Sequence, residues 1–355
     1  MKYYLGIDQG GTKTAALICD ENGRILGAAR DQGLVTTYLN DTDEIYIKNM
    51  RSAADTALSM AGLSLAEVTA VCGCLNGADW DFEYPTLKDN LSRAMSCEDT
   101  IVLNDCIGAM RGGSAGRECA VICAGTGLNA AVRCKDGREI IYGYFVDTAD
   151  QGGSALGHMT LRKVMDSYLG LCGNTLLSQL VVEYTGHETA RQLLTDLSMN
   201  RYRLENKELV DCLLTAYRSG DREAAVIVDE FAKSVSRYVV AGLKRFEMLD
   251  RPVEVVFSGG VLKDDGTLLS KAIMEYIRQG APAAVGVDAR YEPVCGAALT
   301  LLDRHYGMKI PSGVMEEFDR SAAKLGLVRN LSLKPLCMPP LEIERKVDHE
   351  YCDNG

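Results

Sequence analysis

The 355-residue chain is poor in aromatic residues, with one tryptophan, and it has only four histidines. No apolar run approaches the roughly 20 residues that a membrane-spanning helix needs. Basic residues are also in deficit, since 38 Lys and Arg against 49 Asp and Glu leave a net charge of −11. A surface this acidic repels a phosphate backbone, which argues against nucleic acid as the main partner. The N-terminus enters a strand-like run at residues 3–7 without a signal peptide, so we expect a cytoplasmic protein.

The 13 cysteines form an odd number, which does not suit the disulfide framework of a small secreted protein. Most lie inside apolar runs, where a free thiol behaves as a small buried hydrophobe. Cys72 and Cys74 are close enough in sequence to suggest a metal, but no second pair at zinc-site spacing follows and the histidines are scattered. We interpret the cysteines as reduced thiols.

The first half of the chain predicts an α/β unit that opens with three short strands. Turn residues separate these strands, and a helix of regular apolar spacing follows them. The predicted strands are 3–7, 14–19, 25–30, 68–75 and 101–103, and the predicted helices are 44–62 and 87–95. The order is therefore βββαβαβ.

The second half repeats this design. Three strands are predicted at 119–124, 128–133 and 140–144, with further strands at 253–257 and 283–287. A long helical stretch, 155–246, is broken near 170–173 and 219–221, and helices follow at 268–279 and 294–305. Two α/β units of one design pack against each other and leave a cleft. The residues after Met308 contain a polar helix near 315–325 and are predicted to form an appendage.

Glycines and hydroxyl groups fill the turn between the first two strands. This turn reads Asp8, Gln9, Gly10, Gly11, Thr12, Lys13 and Thr14. Such a turn lets backbone N–H groups approach a phosphate closely, with the lysine and threonine side chains as further donors. Asp8 at the strand end is suited to Mg²⁺. A plain tight hairpin explains this segment equally well when it is taken alone.

The matching point of the second half carries Gly125, Thr126, Gly127 and, two residues on, Asn129. The alternative is again a bare turn. Two phosphate-type hairpins at equivalent positions of a duplicated chain make coincidence much less probable, so we predict that both bind nucleotide phosphate.

Asn104 and Asp105 follow a wholly apolar strand. A carboxylate at the C-terminal end of a buried parallel strand faces the crevice in which ligands bind, and there it can act as a general base. The alternative for Asp105 is a helix N-cap. Gly259 and Gly260 also follow a strand and suit the flat face of a nucleoside, although a strand-to-helix turn is common at such a place.

The order of these motifs resembles the sugar-kinase, chaperone-ATPase and actin superfamily, and within it the N-acetylglucosamine kinase and BadF/BadG/BcrA/BcrD ATPase family. The resemblance covers about residues 1–306. It implies two ribonuclease-H-like (actin-like ATPase) domains, each a mixed sheet with a three-stranded antiparallel meander, separated by a cleft. The implied limits are 1–112 and 113–293, with a helical insert at about 155–247, a helix at about 294–306 that returns to the first domain, and an appendage at 307–355.

The resemblance also implies roles for single residues. Those matching Gly10 to Thr12 and Gly125 to Gly127 form the two phosphate loops, with Lys13 and Thr14 beside the first. Asp105 matches the catalytic base, Asp8 the residue that serves Mg²⁺, and Gly259 and Gly260 the surface against adenosine. Asn129 matches a sugar-contacting asparagine. ATP and Mg²⁺ are the implied cofactors, and a small-molecule sugar is the implied partner.

The acceptor loop departs from the family pattern. Acetylhexosamine kinases carry Gly-Trp-Gly and then Gly-Asp-Glu-Gly-Ser, whereas here Tyr144 replaces the tryptophan and Gln151 replaces the glutamate. Asp150 is retained, while the only tryptophan, Trp80, is distant in sequence. The early sugar-contacting segment is replaced by residues 35–38. We predict that Asn104, Asn129, Asp150 and Gln151 contact the acceptor.

The sequence thus predicts an ATP-dependent kinase for a sugar or amino sugar, with an N-acetylhexosamine as the first expectation. Two alternatives stay open at this point: a conformational ATPase that activates an acyl-CoA reductase or dehydratase, and a sugar sensor without catalysis. The oligomeric state, a homodimer among the options, is also open.

Overall fold

The fold is described from a computed structural model, which describes residues 1–10, 13–31, 43–263 and 268–328. Gly11 and Thr12, the segment 35–38 and the chain beyond residue 328 therefore lie outside the described residues. In the described part, no helix has both the length and the apolar character needed to cross a membrane.

Two five-stranded mixed sheets with the same topology form the framework. The first contains β1 (Tyr3–Gln9), β2 (Thr14–Asp20), β3 (Ile25–Asp31), β4 (Val68–Leu75) and β5 (Thr100–Asn104). The second contains β6 (Cys119–Ala124), β7 (Leu128–Arg133), β8 (Glu139–Ile141), β9 (Glu254–Ser258) and β10 (Val285–Asp288).

The strand orders, β3-β2-β1-β4-β5 and β8-β7-β6-β9-β10, are equivalent. In each sheet the first three strands are antiparallel and the last two run parallel to the first. The predicted duplication of a three-stranded meander followed by parallel strands is therefore confirmed. The carboxyl ends of the parallel strands are where an open α/β sheet binds ligands.

Helices cover the sheets and form the insert of the second half. The described α-helices are α1 (Asp43–Ala61), α2 (Tyr84–Met95), α3 (Asp105–Gly113), α4 (Gly152–Tyr168), α5 (Leu176–Tyr184), α6 (Ala190–Ser198), α7 (Val210–Arg218), α8 (Arg222–Arg245), α9 (Leu268–Gly280), α10 (Pro293–His305) and α11 (Ser312–Lys324). Short 3₁₀ turns occur at Leu65–Glu67, Gly143–Phe145, Thr148–Asp150, Asn206–Leu209 and Gly260–Leu262.

Two predicted elements differ from the structure. The third strand of the second meander ends at Ile141, and Gly143–Phe145 forms a 3₁₀ turn where the strand was expected to continue to residue 144. The reason is that the Gly143 N–H donates to the Asn129 side chain at 2.9 Å. The insert is divided into five α-helices, because the side chains of Thr175, Thr189 and Asp221 cap new N-termini.

Helix α3 is the main contact between the two halves, and it is also the helix that carries Asp105. Its buried residues Cys106, Ile107 and Met110 pack with Val121 and Val256 of the second sheet. The base of the cleft is therefore an apolar seam, and the position of α3 is fixed by both halves.

Helix α10 holds α3 from the other side and packs on β1 of the first sheet. A Cβ on Gly296 would overlap the carbonyl oxygen of Gly108, so glycine is required where the two helices cross. The Arg111 guanidinium donates to the Asp303 carboxylate at 2.5 and 3.1 Å, which joins the same helices by a largely buried ion pair. The domain limits at residues 112 and 293 stay a prediction.

The described part of the predicted appendage packs on the first sheet. Phe318 of α11 is fully buried, and the Ile25 N–H donates to the Ser321 hydroxyl at 3.0 Å. A Cβ on Gly23, whose φ is +84°, would overlap the Val314 carbonyl. The residues up to Val328 are thus part of the body of the protein.

Candidate active site

A cavity of about 470 Å³ lies between the carboxyl edges of the two sheets. Its walls bring together most of the motifs that the sequence singled out. The lining includes Asp8, Gly10, Lys13, Asp105, Cys106, Gly125, Thr126, Lys207, Ser258, Gly259, Gly260, Lys263, Glu292 and Pro293.

The first hairpin places a cation in this cavity. The Gly10 N–H donates to the Lys13 carbonyl at 3.0 Å, which closes the turn between β1 and β2. Burial and the nearby Arg30 guanidinium lower the pKa of Lys13, against the opposing effect of Glu292 and Asp8. Thr14 is buried and is not part of the cavity lining.

The second hairpin is fastened to the N-terminus of α4. The Gly153 N–H donates to the Gly125 carbonyl at 2.8 Å, and the Ser154 N–H donates to the Thr126 carbonyl at 3.0 Å. A Cβ on Gly152, whose φ is +46°, would overlap the Gly127 carbonyl. Gly125 and Thr126 line the cavity, while Gly127 lies behind them in this tight turn. The hairpin is therefore rigid before any ligand binds.

Gly259 and Gly260 follow β9 and form the opposite wall. Gly259 has a φ of +96°, and a Cβ there would overlap the Ala124 carbonyl of β6. Gly260 has no atom within 4 Å of its ideal Cβ position, so it faces open space. The two glycines thus differ: the first lets two strands approach, and the second leaves a bare backbone surface.

Further cations surround the same part of the cavity. The Lys263 ammonium lies 2.6 Å from one Glu292 oxygen, and the Arg30 guanidinium lies 3.1 Å from the other. Burial opposes ionisation of Glu292, but Lys263, Lys13 and Arg30 together lower its pKa. Lys207 pairs with Glu205 at 2.6 Å at the cavity rim. The lining also contains four acidic residues, Asp8, Asp105, Asp211 and Glu292, but the cluster of Lys13, Lys263 and Arg30 beside the first hairpin suits a polyphosphate.

Two carboxylates face this cationic region. Burial and the carboxylate of Asp105 raise the pKa of Asp8 to about 7, although Lys13 opposes the shift. Burial also raises the pKa of Asp105, while the Cys106 N–H and the Asn129 amide oppose the shift by donating hydrogen bonds. Unpaired carboxylates with raised pKa values in a cleft are typical of catalytic sites.

Asp105 is the first residue of α3, and the N-cap is Asn104. The Asn104 side-chain oxygen accepts from the Cys106 N–H at 3.0 Å. The alternative interpretation of Asp105 as the capping residue is therefore wrong, because Asn104 caps the helix. Asp105 lines the cavity instead.

The acceptor residues form a hydrogen-bonded chain that crosses the cleft. The Asn104 amide donates to the Ala78 carbonyl at 3.1 Å and to an Asp79 carboxylate oxygen at 2.9 Å. The Asn129 amide donates to the Asn104 side-chain oxygen at 3.0 Å and accepts from the Gly143 N–H. Asn104 and Asn129 are thus brought together beside Asp105, while their role as substrate residues stays a prediction.

Asp150 and Gln151 have other partners. The Asp150 carboxylate accepts from the Tyr238 hydroxyl at 2.9 Å and lies 3.4 Å from the Arg237 guanidinium of α8. The Gln151 amide accepts from the Leu128 N–H at 3.1 Å and donates to the Val146 carbonyl at 3.2 Å. In this structure both side chains support the walls of the cleft, and neither belongs to the cavity lining.

Sequence reasoning missed Asp79 and Trp80. Trp80 lies 6.3 Å from Tyr144 and 5.0 Å from Phe145, measured between ring centroids. The first half of the chain thus places a tryptophan beside Tyr144, the residue that replaces the tryptophan of the family pattern. The signal available in the sequence was the position of Asp79 and Trp80, a few residues after the predicted strand 68–75.

Comparison with known proteins agrees with this geometry. The model of the BadF/BadG/BcrA/BcrD ATPase family matches residues 5–300. The chain belongs to this family. Among curated relatives, a protein of Clostridium acetobutylicum named N-acetylmuramic acid/N-acetylglucosamine kinase is 23% identical over 303 residues, which are 84% of this chain and 98% of that protein. Glucosamine kinase GspK of Vibrio cholerae is 28% identical over 193 residues, which are 53% of this chain and 63% of that protein.

Solved structures related to this BadF-family protein have the same fold. A Chromobacterium violaceum protein provisionally named N-acetylglucosamine kinase has a TM-score of 0.62 at 19% identity, over 85% of this chain and 99% of its own. A ROK family glucokinase of Streptomyces griseus, solved with glucose and AMPPNP, has a TM-score of 0.56 at 21% identity, over 84% and 98%. The predicted fold class, two actin-like α/β domains with a cleft, is confirmed.

Proposed function

We propose that this BadF-family protein is an ATP-dependent kinase that phosphorylates a hydroxyl group of an amino sugar. The names of the two curated relatives support an amino sugar, in free or acetylated form. The observation that carries the proposal is the position of Asp105, a carboxylate with a raised pKa that lies in one cavity with both glycine hairpins.

Asp105 is the proposed general base, which takes the proton of the attacking hydroxyl. Hydrogen bonding from the Cys106 N–H and the Asn129 amide favours its charged form by opposing the rise in its pKa. Since little covalent chemistry is asked of the protein in phosphoryl transfer, the remaining residues act by positioning and by charge. We place the substrate beside Asn104 and Asn129, with Asp150 and Gln151 as wall residues close by.

The proposed ATP site lies at the cationic part of the cavity. Gly10, Gly125 and Thr126 would hold phosphate through backbone donors, with Lys13 and Lys263 as counter-charges, and Gly259 and Gly260 would lie against adenosine. Gly11, Thr12, Thr14 and Gly127 complete the two proposed phosphate loops.

Mg²⁺ fits the same place. Asp8 is a buried carboxylate, and its pKa is raised because burial and Asp105 disfavour its charge. Mg²⁺ is commonly held by one or two carboxylates together with substrate phosphates and water, so a larger protein cage is not required. When bound, it would neutralise charge on the phosphates. The cytoplasmic location and the homodimer stay predictions.

The test is ADP release from Mg²⁺–ATP with N-acetylglucosamine, glucosamine, N-acetylmannosamine, glucose and a muramic-type sugar. At least one amino sugar should stimulate release. Asp105→Asn should lower kcat for that sugar by about 10²–10⁴-fold, the usual contribution of a positioned general base. ATP affinity of the variant, measured by calorimetry, should stay unchanged. Sugar-independent hydrolysis, or no turnover despite ATP binding, would contradict the proposal.

A further inference from the structure

The acceptor end of the cleft carries negative charge without a counter-cation. Burial, the Asp105 carboxylate and the Glu83 carboxylate raise the pKa of Asp79 to about 6, and only the Asn104 amide opposes the shift. Among the described residues, no lysine or arginine forms an ion pair with Asp79 or Asp105. At neutral pH Asp79 is therefore a half-buried anion that no lysine or arginine of the described residues neutralises.

Hydrogen bonds hold both the backbone and the carboxylate of Asp79 in place. Glu83 is 2% exposed, and one of its oxygens accepts from the N–H groups of Asp79 and Trp80 at 2.9 and 2.8 Å. One Asp79 oxygen accepts from the Asn104 amide. Within the described residues, the other oxygen accepts no hydrogen bond, so it is available to a donor from a ligand.

Aromatic rings lie next to this carboxylate. Trp80 contacts Phe82 of its own half and Tyr144 and Phe145 of the other half. These three contact residues are 72%, 53% and 64% exposed, although each is a large apolar side chain. Exposed rings beside a ligand site attract cations to their faces, and a carboxylate at the ring edge adds to the attraction.

Unsatisfied amides at the same sheet edge provide a second, independent observation. Gln9 is 1% exposed, and neither its amide nitrogen nor its oxygen has a hydrogen-bond partner among the described residues. The side-chain oxygen of Asn76 is likewise buried and unpartnered, and the Asn76 N–H donates to the Gln9 carbonyl at 2.8 Å. Buried polar groups without partners are rare in folded proteins. They leave unmet hydrogen-bonding capacity at the carboxyl ends of β1 and β4, with Asn76 three residues before Asp79.

We propose that Asp79 and the ring of Trp80 recognise a protonated amine on the acceptor, so that the protein prefers a free amino sugar to its N-acetylated form. This inference rests on the proposed kinase function and specifies its substrate. Acetylation converts the ammonium group to a neutral amide, whose carbonyl oxygen would be repelled by the carboxylate oxygens of Asp79 and Asp105. It also removes the charge that a ring face attracts.

The test compares kcat/KM for glucosamine and N-acetylglucosamine in the wild type and in Asp79→Asn. This change removes the charge but leaves an oxygen that can accept from Asn104. The wild type should prefer glucosamine at least about tenfold, because a hydrogen bond to a charged group contributes about 1.5–3 kcal/mol. Asp79→Asn should lower kcat/KM for glucosamine by a similar factor and change that for N-acetylglucosamine by less than about threefold.

Asp81→Asn is the matched control, because it removes an exposed carboxylate two residues away. It should leave the preference unchanged. Trp80→Leu is the second variant, and it should reduce the preference for glucosamine without removing the Asp79 charge. Thermal unfolding of each variant shows whether it is folded.

The inference is overturned if N-acetylglucosamine is preferred, or if Asp79→Asn lowers kcat/KM for both sugars equally. Calorimetry of each sugar in the presence of AMPPNP separates this failure from that of the kinase proposal. Tighter binding of glucosamine without turnover of any sugar would reject the kinase and support amine recognition. Equal binding of the two sugars would reject amine recognition whatever the turnover.

Discussion

The two ends of the cleft present different chemical groups. The end with the glycine hairpins offers backbone N–H groups and cations, namely Lys13, Lys207 and Lys263. The end with Asn104 and Asn129 offers amides, the Asp79 carboxylate and aromatic rings. Asp8 and Asp105 lie between them, and the Asp105 carboxylate raises the pKa of both Asp8 and Asp79.

The proposed function accounts for this difference, since it assigns nucleotide phosphates to one end and an acceptor sugar to the other. Phosphate groups are the same in every nucleotide, so backbone donors and general positive charge suffice. An acceptor sugar must be distinguished from similar sugars, which requires side chains placed by several elements. We therefore expect changes at the cationic end to alter nucleotide affinity, and changes at the anionic end to alter the choice of acceptor.

The largest expected effect concerns the carboxylate between the two ends. The pKa of Asp8 is about 7 in the folded protein against an unperturbed 3.8, which we take for the unfolded chain, so folding favours the protonated form. That stabilisation is complete below pH 4 and is lost as the pH rises to 7. Asp8→Asn is neutral at every pH. Relative to the wild type, it should gain about 2–3 kcal/mol in free energy of unfolding between pH 5 and pH 8.

Urea unfolding in EDTA at the two pH values measures this gain, and Asp81→Asn, at an exposed position, is the control. The same Asp8→Asn protein should lose Mg²⁺-dependent turnover. If the free energies of unfolding of the wild type and Asp8→Asn differ by the same amount at pH 5 and pH 8, the charge on Asp8 does not destabilise the folded protein.

The second prediction tests the cationic end. Lys13→Met keeps an apolar stem of similar length and removes a half-buried ammonium from the cavity wall. ATP affinity should fall by about 10–100-fold, the effect of losing a charged hydrogen bond, while sugar binding changes little. Lys207→Met is the control, because Lys207 is already paired with Glu205 at the rim and should contribute less. Equal losses in the two variants would contradict a specific role for Lys13.

The third prediction concerns the backbone at the same end. Gly259→Ala forces a Cβ onto the Ala124 carbonyl at a φ of +96°, so it should lower the free energy of unfolding by about 1–3 kcal/mol and weaken ATP binding. Gly260→Ala meets no neighbouring atom and should leave the melting temperature unchanged. If Gly260→Ala nevertheless weakens ATP binding, we infer that the added methyl group occupies space that the proposed site leaves for adenosine. Unchanged stability in Gly259→Ala would contradict the argument.

The cationic end could be predicted from the sequence because each of its parts is local. A hairpin of consecutive glycines lies within a few residues of chain, and its duplication at residues 125–127 can be seen without a structure. Asp105 could be found by its place after an apolar strand. The three-stranded meander in each half could be predicted from the repeated pattern of strands and turns.

The anionic end could not be predicted in the same way. Asp79 and Trp80 are in a segment without a recognisable motif, and their partners Tyr144 and Phe145 come from the other half of the chain. Only folding brings them together. The predicted roles of Asp150 and Gln151 as acceptor residues remain predictions, because in this structure their polar atoms are engaged by Tyr238, Leu128 and Val146.

The smallest expected effect tests this last point at Gln151, where the family pattern has glutamate. Gln151 spans the wall of the cleft, because its oxygen accepts from the Leu128 N–H and its nitrogen donates to the Val146 carbonyl. Gln151→Glu keeps the acceptor and turns the donor into a second oxygen that faces a carbonyl. The free energy of unfolding should fall by about 1–2 kcal/mol, with a smaller loss of ATP affinity than in Lys13→Met.

Gln192→Glu is the matched control, because the exposed Gln192 oxygen only accepts, from the Glu188 N–H at 3.0 Å, and glutamate can do the same. Urea unfolding of the two variants gives the comparison. If Gln151→Glu is as stable as the wild type and binds N-acetylglucosamine more tightly, position 151 acts on the acceptor directly. In that case residue 151 would belong to the acceptor site. Both Asp79 and residue 151 would then discriminate between free and acetylated sugars.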